Sequence, residues 1–212
     1  MRPVITAVVV SCAVSCTSPS MADHGGIWSA EAIPLRYTGP QREMEIASPD
    51  GNKRVEIAGS TISVVSDGRR LAGLENSGVS APAEICWSPD SKAFAITESY
   101  GGAVGEWLVT VYILTESSVE TVDVAGAAID SFRTGFKCLT EETPNAGFAS
   151  WINGSGELLL ALEVPPHSSC PDMGTIKGYI VSVPSGTILQ KVDSLTLRQK
   201  YAHLLGPRLK TD

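Results

Sequence analysis

Ala47-Ser-Pro-Asp-Gly-Asn-Lys-Arg-Val-Glu-Ile57 and Trp87-Ser-Pro-Asp-Ser-Lys-Ala-Phe-Ala-Ile96 share one design. Trp151-Ile-Asn-Gly-Ser-Gly-Glu-Leu-Leu-Leu160 repeats it with the proline and aspartate lost. In each, the end of one strand meets a tight polar turn, and an apolar strand leaves it. Proline presets φ for the second turn position, aspartate accepts bonds from nearby backbone N–H groups, and glycine tolerates positive φ. Alternation of apolar and polar residues on either side marks half-buried strands.

Around each turn the pattern extends to four short strands. The first block reads 43–47, 55–57, 61–65 and 70–73, with a turn at Ser66-Asp-Gly68. The second reads 84–87, 93–97, 107–114 and 119–124, the third 148–151, 157–164, 176–183 and 187–192. Ala128, Ile129, Phe132 and Phe136 at helical spacing predict a short helix within 125–136. Asp193 or Ser194 can cap a C-terminal helix bearing Leu195, Leu197, Tyr201, Leu204 and Leu205, stopped by Gly206-Pro207.

The prolines of the first two turns lie 40 residues apart, whereas Trp87 and Trp151 are 64 apart because a helix is inserted. Four strands with a period near forty are the signature of a β-propeller blade. The expected fold is therefore all-β, mainly antiparallel: three four-stranded blade-like meanders, an inserted helix and a C-terminal helix. Over roughly residues 41–192 the chain resembles the Ser-Pro-Asp-Gly repeats of TolB-type, WD-like β-propellers, which in bacteria are often exported. The Trp-Asp dipeptide of true WD repeats is absent. Propellers close with four blades or more. Three units leave an open wedge, a ring completed by a second chain, or a twisted sandwich.

The domain division expected is 1–16 as a signal peptide, 17–40 as a tether and 41–212 as a single propeller-like domain. Arg2 precedes an uncharged run, Pro3 to Val14, too short to span a bilayer but right for a signal core. Ala13-Val-Ser-Cys16 resembles a bacterial lipoprotein signal, with Cys16 as the lipidation site. Ala13 stands where that signal prefers leucine, Cys12 is a second acceptor, and ordinary cleavage after Ala22 is the alternative. The expected location is exported, in the periplasm or cell envelope, with the membrane reached only through a lipid anchor. A formal charge of −7 argues against nucleic acid and against anionic membrane surfaces as partners.

Cys86 lies between Ile85 and Trp87 in a strand and reads as a core residue, while Cys138 and Cys170 sit in loop-like sequence and are the better disulfide pair. No nucleophile elbow, phosphate-binding glycine loop or dinucleotide fingerprint is present. Asp50 and Asp90 read as turn acids, and no metal or cofactor is expected. His167 and Cys170, with Asp172, could make a metal site or a Cys–His nucleophile pair, although a disulfide at Cys170 explains that loop more simply. The glycine-rich loop 98–107 offers Tyr100 and Trp107 as candidate contact residues, although a long hairpin loop with Trp107 pointing into the core is the stronger reading of that tryptophan.

The leading expectation is a non-enzymatic protein- or peptide-binding or scaffold domain with Tyr100, Trp107 and His167 as candidate contacts. The alternatives are a metal- or thiol-dependent enzyme centred on His167 and Cys170, and a homo-oligomer that completes a propeller.

Overall fold

The computed structural model describes residues 25–35, 43–75, 77–140 and 142–210. A short strand β1 (Ile33–Leu35) comes first. The first block then forms β2 (Glu43–Ala47), β3 (Lys53–Ala58), β4 (Thr61–Ser66) and β5 (Arg69–Arg70). The second forms β6 (Ala83–Trp87), β7 (Ala93–Ala103), β8 (Trp107–Leu114) and β9 (Val119–Val122). After helix α1 (Gly126–Arg133), the third forms β10 (Asn145–Asn153), β11 (Glu157–Glu163), β12 (Ile176–Ser182) and β13 (Ile188–Val192), followed by α2 (Ser194–Lys200). Each block is an antiparallel meander in chain order, so the all-β architecture of three blade-like units holds.

The sheets stack face to face. Val55, Ile57, Ile62 and Val64 of the first meet Ile85, Trp87, Phe94 and Ile96 of the second in one apolar layer. Val109 and Val111 of the second meet Phe148, Leu158, Leu160 and Val181 of the third in another, which also takes in Ala128 and Phe132 of α1. Fully burying each large aliphatic or aromatic side chain contributes about 1.5–3 kcal/mol.

Two sets of polar contacts fix this stacking, and both recur from block to block. The Trp87 indole N–H donates to the Ile46 carbonyl (3.2 Å), and the Trp151 indole N–H to that of Cys86 (3.3 Å). Ile46 and Cys86 hold the same place in their repeats, two residues before the turn serine. On the turn rim the Asp50 N–H donates to Ser91 Oγ (3.0 Å), and the Ser155 hydroxyl donates to Asp90 Oδ2 (2.8 Å). Ser91 adopts a positive φ of 57°, a conformation costly for a residue with a Cβ, at the place where the first turn has Gly51. Its hydroxyl reaches the neighbouring turn, which glycine cannot do. The first block has Ala47 and Gly51 where the others have tryptophan and serine, and among the described residues no sheet precedes it.

The two ends of the stack differ. The far face of the first sheet carries Arg54 between Glu45 (3.5 Å) and Glu56 (2.8 Å), with Arg70 on Glu56 (3.2 Å). The far face of the third sheet is apolar, and Leu197, Tyr201, Leu205, Leu209 and Trp28 cover its Leu159, Ala161, Ile180 and Val192. Asp193 caps α2 by accepting from the Thr196 N–H (2.8 Å). The helix ends at Lys200, so Leu204 and Leu205 lie beyond it, and Gly206 leads into a short 3-10 turn, Pro207–Leu209.

The tether expected over 17–40 is corrected for residues 25–35, which belong to the fold; 17–24 and 36–40 lie outside the described residues. β1 pairs with β6 as a fifth strand of the middle sheet, and Trp28 is fully buried. The cause is Glu84, a buried carboxylate of β6 that accepts the backbone N–H groups of Ile27, Trp28 and Ser29. Gly147 lets the Trp28 ring lie on β10, since a Cβ there would stand 2.1 Å from the indole.

Replacing Trp87 or Trp151 by phenylalanine should cost about 1 kcal/mol for the lost hydrogen bond, and alanine about 3–5 kcal/mol, by urea denaturation. Burial outweighs the three N–H bonds and pushes the Glu84 carboxyl up to about 7. A raised folded value means that its contribution is complete below the unfolded value and is lost as pH rises through 7. Thermal stability should therefore fall between pH 5 and 8, by on the order of 3 kcal/mol, and Glu84→Gln should flatten that decline.

Candidate functional site

The two loops singled out in the sequence face each other across one cleft. Val104 and Glu106 of the β7–β8 hairpin, Glu142 and Thr143 before β10, and Pro165, His167, Ser168 and Ser169 of the β11–β12 loop line a space of about 360 Å³. The hairpin tip is closed by the Tyr100 N–H to the Glu106 carbonyl (3.2 Å) and the Gly105 N–H to that of Gly102 (3.3 Å). Gly101 and Gly105 touch backbone to backbone, and a Cβ on either would lie within 2.8 Å of the other's atoms. The tip thereby holds Tyr100 and Val104 out in solvent, each 67% exposed.

His167 is exposed on a loop that the Cys138–Cys170 disulfide ties to the 3-10 turn Lys137–Thr140, with a Cα–Cα distance of 5.4 Å. The expected pairing is the one observed. Within the bridge Cys170 carries no free thiol. The Asp172 carboxylate lies within 4.8 Å of both sulfurs, now oxidised. Ser169 Oγ donates to the Glu142 carboxylate (3.2 Å) and ties the loop to the opposite lip.

Trp107 is corrected as a contact residue: it is fully buried, its ring edge-on to Trp28 at 5.9 Å. Its backbone N–H donates to Asn145 Oδ1 (3.1 Å), and Asn145 Nδ2 donates to Glu163 Oε2 (3.0 Å). Arg208 completes this buried network with Nη2 at 2.6 Å and Nε at 3.0 Å from the same oxygen. Its guanidinium lies 5.0 Å from the Trp28 ring and 5.4 Å from that of Trp107. Trp107, Asn145 and Glu163 are each within two residues of a cleft residue: Glu106, Thr143 and Pro165. The cleft thus stands on a rigid polar base. Sequence reasoning missed Asn145, Glu163 and Arg208, although a carboxylate closing the apolar run 158–164 was a signal.

The remaining candidates are structural or lie elsewhere. Asp50 and Asp90 are turn acids: each accepts from the serine two residues before it, at 2.6 and 2.7 Å. Cys86 is buried, and burial pushes its thiol up to about 12, far from a reactive thiolate. Cys16 lies outside the described residues. Among those described, no helix is long and apolar enough to cross a membrane. Compared with protein-family models, curated proteins and solved structures, the chain matches none.

Substituting both Cys138 and Cys170 with alanine should lower stability by about 3–4 kcal/mol, given the 32-residue separation that the bridge closes. Hydrogen exchange should quicken first in residues 165–173 and leave β11 and β12 protected.

Proposed function

We propose that the chain is an exported, envelope-tethered domain of the TolB-like propeller type that acts by binding another protein, with no chemical step of its own. Its contact surface is the cleft between the 100–106 hairpin tip and the 165–169 loop. The observation that carries this reading is the pairing of an exposed tip, Tyr100 and Val104, with a deeply anchored base. Contact residues of this kind bind well when the backbone beneath them is already ordered, because little conformational entropy is then lost. Loops set on a rigid β scaffold are a common place for such surfaces.

The charged far face of the first sheet supports a domain that works as one chain. Completing a ring on that side would desolvate Glu45, Arg54, Glu56 and Arg70, a cost that their mutual attraction repays poorly. Export agrees with the Cys138–Cys170 bridge, since disulfides persist in oxidising compartments.

A photo-crosslinking side chain at Tyr100 or Val104, in cells making the full chain, should trap one defined protein adduct. The same group at Leu189, an exposed position on β13, should trap none. Equal trapping at all three positions, or none at the hairpin tip, overturns the assignment. Intact mass of the mature protein reads the processing site and any lipid on Cys16.

A further inference from the structure

The net charge of −7 conceals a segment of opposite character. Residues 194–210 contain Arg198, Lys200, Arg208 and Lys210 and not one aspartate or glutamate. These residues form the cap over the third sheet, through buried Leu197, Tyr201, Leu205 and Leu209. Arg208 is turned inward to Glu163, whereas Lys200, His203 and Lys210 are exposed. Leu195, near the opposite side of α2 from buried Leu197, is 65% exposed. Of the two carboxylates that flank the segment, Asp193 is occupied as the helix cap and Asp212 lies outside the described residues.

The N-terminal segment enters the fold at this same face. The Ala30 N–H donates to the Leu204 carbonyl (2.9 Å), the Gly206 N–H to that of Trp28 (2.7 Å) and the Arg208 N–H to that of Ile27 (3.1 Å). Gly206 is required there, because a Cβ would stand 2.4 Å from the Ile27 carbonyl oxygen. Only eight residues separate Cys16 from Gly25. Even fully extended they reach about 30 Å.

We propose that the 194–210 cap is a docking face for anionic lipid headgroups, turned toward the membrane that carries the anchor. This rests on the reading of the chain as tethered at Cys16. A short tether leaving from the cap holds that face against the bilayer at high effective concentration, so a weak contact suffices. Lys200 and Lys210 supply attraction to lipid phosphates, and Leu195 supplies an apolar side chain that can enter the headgroup layer. The loop cleft is then free to meet its partner.

Lysine acylation read by mass spectrometry tests this on the mature full chain, with vesicles of phosphatidylcholine alone or with one third phosphatidylglycerol. On the anionic vesicles Lys200 and Lys210 should acylate at least threefold more slowly, while Lys53 and Lys92 on the turn rim keep their rates. Half-molar salt should abolish the protection, and Lys200→Glu should weaken the protection of Lys210. Unchanged rates at Lys200 and Lys210, or protection that appears equally on the neutral vesicles, overturn the proposal. Protection in the absence of vesicles that grows with protein concentration would assign the face to a second copy instead. If intact mass shows no lipid while anionic vesicles still protect the lysines, the tether reading fails and the docking face stands.

Discussion

The indole hydrogen bond that crosses from one sheet to the next is the contact on which the stack depends. Face-to-face sheets can slide, because apolar packing is non-directional. A buried indole N–H must find an acceptor or pay for its desolvation, so Trp87 and Trp151 each hold a sheet at one register against its neighbour. The Asp–Ser contacts of the rim repeat that constraint some residues away. Two fixed points per interface determine both position and angle. The first block needs neither device and has neither residue.

A stack of three sheets has two exposed ends, and each is handled by different chemistry. The first is made acceptable to water by an ion-paired lattice around Glu56. The last is covered by residues 27–30 and 194–210, held by two buried carboxylates. Glu84 gathers three consecutive N–H groups of the N-terminal segment, and Glu163 receives Arg208 from the C-terminal one. Both carboxylates sit on strands, where a charge is costly unless paired. These two segments therefore complete the fold, and the same base that locks them underlies the candidate cleft.

Much of this was legible in the chain. The strands of the three blocks, the inserted helix and the Asp193 cap follow from local signals: alternation, turn chemistry and capping. The Cys138–Cys170 pair follows from the loop-like sequence around both cysteines, with Cys86 set in a strand. Trp28 was missed because it lies in a stretch of mostly small and polar residues with no period. Trp107 was listed as a candidate contact although its core reading was the stronger, because an aromatic beside a glycine loop looks the same in sequence whether it points out or in. The charge of the C-terminal cap was hidden within an acidic total.

By itself the sequence determined the unit, since a four-stranded meander requires only contacts between neighbours along the chain. It also set the first block apart, through Ala47 and Gly51 in place of tryptophan and serine. Only the tertiary structure decided how the units close, which carboxylates are buried, and which loops share a cleft. Those outcomes depend on pairs such as Glu84 with Trp28 and Glu163 with Arg208, 56 and 45 residues apart. No local pattern records a partner at that distance, because burial and charge pairing exist only once the sheets have stacked.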